Sequence, residues 1–311
     1  MRVIITGGTG LIGRALTDSL TADKHEVIVL SRSAKYVKGL PKGARAEQWD
    51  ARTAAGWSRL ADGADVIVNL AGASIGGENT LSILFRRWTN RNKKRILVSR
   101  LNAGRAVMQA IEAARQKPKL LIQASAIGYY GVLHDGSVTE DSPHGHDFQA
   151  RVPWDWELST SQAEVLGVRR VVIRSGLVMS RNAAILSMVT LPFKLFAGGR
   201  LGSGQQCFPW IHVDDEVGAI RFLIDRPDAR GAFNLVAPGA ITNRQLARLL
   251  GRIMRRPSFF PVPAFALRLL LGEKATLVLD GAQIVPRRLL GMGYTFKFPE
   301  AEPAFRDALK K

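Results

Sequence analysis

Cysteine is nearly missing from this chain: Cys207 is the only one in 311 residues. No disulfide can close within it, so the fold must rest on packing, and the composition suits a reducing compartment. Long apolar runs are missing too. The longest stretch, residues 261–271, is broken by prolines and by Arg268, and it falls short of the roughly 20 residues that cross a bilayer. The chain opens at once on a strand-like run, Arg2-Val3-Ile4-Ile5, so no cleaved leader and a cytoplasmic location are expected. Negative charge is scarce: 44 Lys and Arg stand against 26 Asp and Glu, a net +18. Such an excess can serve nucleic acid or an anionic surface. Here the basic residues are spread along the chain. The densest cluster, from Arg86 to Arg100, comes with no zinc-finger, RRM or KH pattern. A small-molecule substrate, with an anionic one among the candidates, is the expected partner; nucleic acid and membrane are not.

Apolar residues make up 46% of the chain, enough for a buried core. The length suggests one large domain with a smaller one. Short apolar strands at 3–6, 26–30, 66–70, 120–124 and 170–174 alternate with helical stretches at 11–21, 89–114 and 154–166. Continuous apolar strands are buried on both faces, and strand–helix alternation implies right-handed crossovers. The predicted fold is α/β: a Rossmann-type doubly wound parallel sheet over residues 1–178, with later returns near 207–236, and a smaller C-terminal cap over 179–311. In that last part a helix is expected over 188–197, a strand over 232–236, and a helix over 243–254 capped by Thr242.

The first strand leads into Thr6-Gly7-Gly8-Thr9-Gly10-Leu11-Ile12-Gly13. Gly7, Gly10 and Gly13 have the G-x-x-G-x-x-G spacing. Gly7 permits the tight turn, Gly10 lets backbone approach a pyrophosphate, and Gly13 lets the helix pack closely. Leu11 and Ile12 open the helix, whose free N–H groups and positive dipole end suit phosphate. The second strand ends in Ser31-Arg32, with no Asp or Glu to hold a ribose 2′-hydroxyl. A guanidinium suits a 2′-phosphate, so Arg32 with Ser31 and Lys35 points to NADP(H), with NAD(H) as second choice. Asn69-Leu70-Ala71-Gly72 adds Ala71 and Gly72 beside the cofactor.

These residues resemble the extended short-chain dehydrogenase/reductase superfamily. Four further segments are similar to its atypical epimerase-family subgroup of nucleoside-diphosphate-sugar epimerase-like proteins, some of which bear a cell division inhibitor label. They are Arg87-Trp88-Thr89 with Lys94 and Ser99-Arg100; Ala124-Ser125-Ala126-Ile127-Gly128-Tyr129-Tyr130-Gly131; Gly202-Ser203-Gly204-Gln205 through Trp210-Ile211-His212-Val213-Asp214-Asp215; and Pro261-Val262-Pro263 through Leu271-Gly272-Glu273. The resemblance covers essentially the whole chain.

It implies a Tyr-x-x-x-Lys pair one helical turn apart, with a Ser or Thr at the preceding strand end. That pair is absent. Aligning Glu157 with the superfamily's later glutamate puts Gln149 at the tyrosine position and Pro153 at the lysine position. No tyrosine occurs between Tyr130 and Tyr294. Ser125 is the candidate serine for cofactor and catalysis, although counting back from Tyr130-Gly131 places Ala126 there instead. Tyr129 or Tyr130 is the candidate acid, and Asp155 or Glu157 a candidate base. His212, Asp214 and Asp215 fit a structural segment returning to the sheet, the aspartates capping a helix at 216–224. No metal site is expected. Arg87, Arg174 and Arg200 are candidates for holding an anionic substrate. The expected protein is an NADP(H)-dependent oxidoreductase or epimerase-like enzyme with a divergent active site; the alternative is a non-catalytic NADP(H)-binding regulator or sensor.

Overall fold

The computed structural model describes residues 1–74, 88–132 and 136–310. Nine strands position the site: β1 (Arg2–Thr6), β2 (Glu26–Ser31), β3 (Ala44–Gln48), β4 (Val66–Asn69), β5 (Leu120–Ala126), β6 (Arg169–Ser175), β7 (Leu177–Met179), β8 (Trp210–His212) and β9 (Gly231–Leu235). Eight helices matter: α1 (Leu11–Ala22), α2 (Asn90–Ala113), α3 (Phe148–Leu158), α4 (Ala184–Lys194), α5 (Val213–Asp225), α6 (Asn243–Met254), α7 (Ala264–Leu271) and α8 (Ala301–Ala308). Seven strands form one sheet in the order β9-β6-β5-β4-β1-β2-β3. Every pairing in it is parallel. The order reverses beside β1, where a doubly wound sheet opens its crevice at the strands' carboxyl ends.

Burial follows the strand pattern. β1, β2, β4, β5 and β6 are buried along nearly their whole length. One face packs α1 and α5, with Leu16, Leu20, Ile220 and Leu223. The other packs α2 through Ala103, Ala106, Val107 and Ile111 against Ile4, Ile28 and Ile67. A third core joins α4, α6 and α8 through Phe193, Leu250 and Phe305. Thr242 does cap α6, in a reciprocal box with Gln245.

Three element expectations need correction. β3 was not expected: Ala-Arg-Ala-Glu-Gln lacks the apolar run of its neighbours because it is an edge strand, only half-buried. The helix expected at 154–166 is α3, starting at Phe148 where the Asp147 carboxylate accepts from Ala150 N–H. Pro153 lies inside it without ending it. The helix expected at 188–197 is α4, shifted toward the N-terminus, with Pro192 inside its last turn.

Candidate functional site

The glycine turn joins β1 to α1. Gly7 has φ +69°, and a Cβ there would lie 2.9 Å from the Leu70 carbonyl carbon. Gly10 is the N-cap of α1, and its N–H donates to Gly7 O at 3.0 Å. A Cβ on Gly13 would fall 2.5 Å from Gly8 Cα and 2.6 Å from Gly7 O. The glycine therefore seats α1 on the turn itself. Leu11, Ile12 and Gly13 form the first helical turn, whose N–H groups have no acceptor within the helix. The Leu11 side chain bridges the sheet core and the C-terminal core. This geometry is a cradle for an anion with room only for backbone donors.

Arg32 is exposed at the carboxyl end of β2. The turn after it is braced from β3: Gln48 Nε2 donates to Arg32 O at 2.6 Å and Ala34 N–H donates to Gln48 Oε1 at 3.0 Å. Ser31 Oγ accepts from Ser33 N–H at 3.2 Å. Arg14, on the first turn of α1, donates to Thr9 O and reaches toward Lys38 O, tying the glycine turn to this loop. Gln48 carried no sequence signal because its role depends on the β2–β3 pairing, and Arg14 none because its second bond is to a loop 24 residues away.

At the end of β4, Ala71 N–H donates to Thr6 Oγ1, which in turn donates to Asn69 Oδ1 at 2.7 Å. Asn69 Nδ2 donates to Gln123 Oε1, which also accepts from Thr160. Polar residues inside otherwise apolar strands were the available signal for this chain of bonds. Arg100 braces the same strand end. Its guanidinium donates to Ala73 O and Ile96 O and lies 4.8 Å from the Trp156 ring centroid. A Cβ on Gly72 would press 3.0 Å from Arg100 Cζ, so the glycine makes room for it. Burial pulls the Arg100 pKa down to about 10.

Ser125 on β5 stands in register with Arg174 on β6. Ser125 Oγ donates to Glu157 Oε1 at 2.6 Å, and Arg174 grips the same carboxylate with Nε at 2.9 Å and Nη2 at 3.0 Å. All three side chains are buried. Burial pulls Arg174 down, but the bonded Glu157 carboxylate outweighs it and holds the guanidinium raised. Tyr129 lays its ring on that guanidinium, 3.3 Å from centroid to Cζ. Tyr130 Oη donates to Asn234 Oδ1 at 2.6 Å and accepts from Arg174 Nη1 at 3.1 Å. Burial raises both tyrosine pKa values, against the opposing pull of Arg174. His144 stacks on Trp154 at 4.3 Å and meets Tyr129 edge-on.

Gln149, which the sequence aligns with the superfamily's tyrosine, donates to Thr276 Oγ1. Lys93 pairs with Glu273. The segment after α7 is thus tied to α2 and α3. Arg174 is buried, with its donors turned to Glu157, Tyr130 Oη and Glu140 O, so it faces its own fold rather than a substrate. Arg200 bonds its own loop through Ser203 O at 2.7 Å. Arg87 lies outside the described residues.

The His212 segment differs from expectation. His212, not an aspartate, caps α5, its Nδ1 accepting from Asp214 N–H at 3.2 Å. Burial lowers its pKa. Asp215 instead accepts from Lys297 N–H at 2.6 Å and Phe298 N–H at 2.9 Å, docking the C-terminal segment. β8 pairs with β7 in a separate two-stranded sheet, not with the main one. Among the described residues no cluster of His, Cys, Asp or Glu could hold a metal.

Residues 3–236 match the model of the NAD dependent epimerase/dehydratase family. The chain belongs to that family. Residues 262–308 match a domain of unknown function, DUF1731. The chain is 37% identical over 310 residues to epimerase family protein YfhF of Bacillus subtilis, covering 99% of this chain and 98% of that one. It is 36% identical to epimerase family protein SDR39U1 of Homo sapiens, covering 99% of each. The crystal structure of human SDR39U1 (isoform 2) with NADPH superposes with a TM-score of 0.85 over 99% of both chains. A UDP-glucose 4-epimerase from Thermotoga maritima, 18% identical, shares the fold with a TM-score of 0.76 over 99% of this chain and 97% of that one. The resemblance to the epimerase-type subgroup therefore holds across the whole chain.

Proposed function

We propose that this epimerase-family protein binds NADP(H) in the glycine-turn groove and works as an oxidoreductase or epimerase-like enzyme without the Tyr-x-x-x-Lys pair. The carrying observation is the turn itself: Gly7 and Gly13 leave no space for a Cβ, so only backbone N–H groups face the pyrophosphate. The NADPH in the human relative of the same fold and length supports the cofactor. Arg32 and Ser31 hold the 2′-phosphate, and Ala71 and Gly72 line the groove at the β4 end. Bound nicotinamide supplies hydride exchange at a carbon of the substrate. The chain's own part is the proton. Ser125 is turned to Glu157, Tyr130 to Asn234, so Tyr129 is the remaining hydroxyl of the three, kept protonated by its burial. It donates its proton to the substrate oxygen, and Arg174 beneath the ring stabilises the phenolate left behind.

A cofactor-binding sensor is the second reading. It is favoured by Gln149, whose bond to Thr276 fills the position where the proton relay belongs. The experiment for both is titration of NADPH and NADH by fluorescence, followed by NADPH oxidation against carbonyls and nucleotide-sugars. NADPH should bind at least about tenfold more tightly, and Arg32→Glu should reverse the order, since a carboxylate repels the 2′-phosphate and accepts a 2′-hydroxyl. Equal binding of both nucleotides would remove Arg32 from the site. Tight NADPH binding with no oxidation by any substrate would favour the sensor.

A further inference from the structure

Two loops of the C-terminal region pack together into one exposed knuckle. The loop after α4 carries Leu195 and Phe196, 68% and 54% exposed. The loop between α6 and α7 carries Phe259 and Phe260, 72% and 47% exposed. Phe260 N–H donates to Gly198 O at 3.0 Å, and the Phe259 and Phe260 rings lie 4.5 Å apart. Arg256 ties the loops from the side, its guanidinium 4.2 Å from the Phe196 ring centroid. Single apolar residues scattered on a surface are ordinary; here four exposed ones sit on two loops joined by a backbone hydrogen bond.

The same knuckle borders a basic cleft of about 680 Å³ lined by Arg248, Arg252, Arg255 and Arg256, with Gln245 and Ser258. Among the described residues Glu302 is the one carboxylate paired with these arginines, through Arg252. Arg255 is held at φ +54° as the C-cap of α6, the left-handed position where glycine is usual. The chain keeps a guanidinium there at a conformational cost.

We propose that this knuckle is a docking site for an anionic phospholipid surface, with headgroup phosphates in the arginine cleft and the Leu195, Phe196, Phe259 and Phe260 side chains set into the interface. Charge complementarity decides the occupant. The chain carries +18 overall, and an apolar tip ringed by cations is the pattern of a peripheral membrane contact. A nucleic-acid duplex, its bases already stacked, would use the arginines and leave the phenylalanines idle. A second copy of so basic a chain would bring like charge to the same place. No helix among the described residues is long and apolar enough to cross a membrane; the contact proposed is a peripheral one.

The test is co-sedimentation of the full chain with vesicles of phosphatidylcholine alone or with about one-third phosphatidylglycerol. Binding should rise at least about tenfold with the anionic lipid and fall in high salt. Phe259→Ser/Phe260→Ser should abolish it. Arg255→Gly should weaken it several-fold while the thermal midpoint holds or rises, because glycine fits the left-handed cap; lost binding in that variant cannot be ascribed to unfolding. The proposal is overturned if both vesicle types bind alike or neither binds. It is overturned equally if duplex DNA binds as tightly and ignores the phenylalanine changes, or if the knuckle proves to join two copies in solution.

Discussion

Glu157, Arg174 and Ser125 illustrate how a buried charge is tolerated. A carboxylate out of water costs several kcal/mol unless it is paired and hydrogen-bonded. Here Glu157 has a two-point guanidinium and a hydroxyl donor, so the ion pair is satisfied and rigid. Its rigidity fixes the platform on which Tyr129 lies. Replacing Tyr129 by Phe keeps the ring on Arg174 and removes only the hydroxyl. If Tyr129 is the proton donor, kcat should fall by about 10²–10³-fold with NADPH affinity unchanged, as for loss of a general acid. A Ser125→Ala variant with the same loss would move the role to Ser125.

At the scale of elements, α1 and the turn before it are a single steric unit. Gly10→Ala and Gly13→Ala separate its two duties. A Cβ on Gly13 strikes the backbone of Gly7 and Gly8, so α1 must lift, costing about 1–3 kcal/mol as overpacking does. Urea denaturation should show a lower midpoint. A Cβ on Gly10 comes no closer than 3.2 Å to Gly7 O. Gly10→Ala should therefore lower the urea midpoint less than Gly13→Ala does and, if the pyrophosphate lies against the turn as proposed, lose NADPH affinity. In α3, Gln149 and Pro153, which the sequence aligns with the superfamily's acid–base positions, serve contact and helix geometry; of its three ionisable groups Arg151 and Asp155 pair with each other and Glu157 is turned to the sheet.

For the whole molecule, α5 sets a pH dependence of stability. Glu216 is fully buried in its first turn. Ser175 Oγ donates to its Oε1, and its Oε2 has no hydrogen-bond partner. Burial raises its pKa from 4.5 to about 8, with the Ser175 bond opposing. The folded state thus holds a proton that the unfolded chain releases above pH 4.5. Its contribution to stability is complete below that pH, declines as pH rises toward 8, and is then lost. Glu216→Gln should flatten the fall in melting temperature between pH 5 and 8 and gain several degrees at pH 8. A variant with the wild-type slope would show that Glu216 is ionised in the fold.

The strand–helix alternation, the glycine turn and the lack of an acid after β2 were readable because each is a local property: side-chain periodicity, the sterics of φ above zero, and the charge of one residue at a known strand end. The absence of a Tyr–Lys pair was readable for the same reason. Contacts between distant segments were not. Whether Ser125 or Ala126 faces the cleft depends on the pleat of β5, and Glu157 meets Arg174 because α3 packs on β5, the strand beside β6. The edge strand β3, half-solvated, lacked the apolar run that marks its neighbours, and with it went Gln48. The basic residues read as evenly spread along the chain, and only the packing of α4 against α6 gathers some of them around the exposed phenylalanines. Sequence determined what the backbone does at each turn; tertiary structure decided which side chains meet, since burial and register are set by elements far apart in the chain.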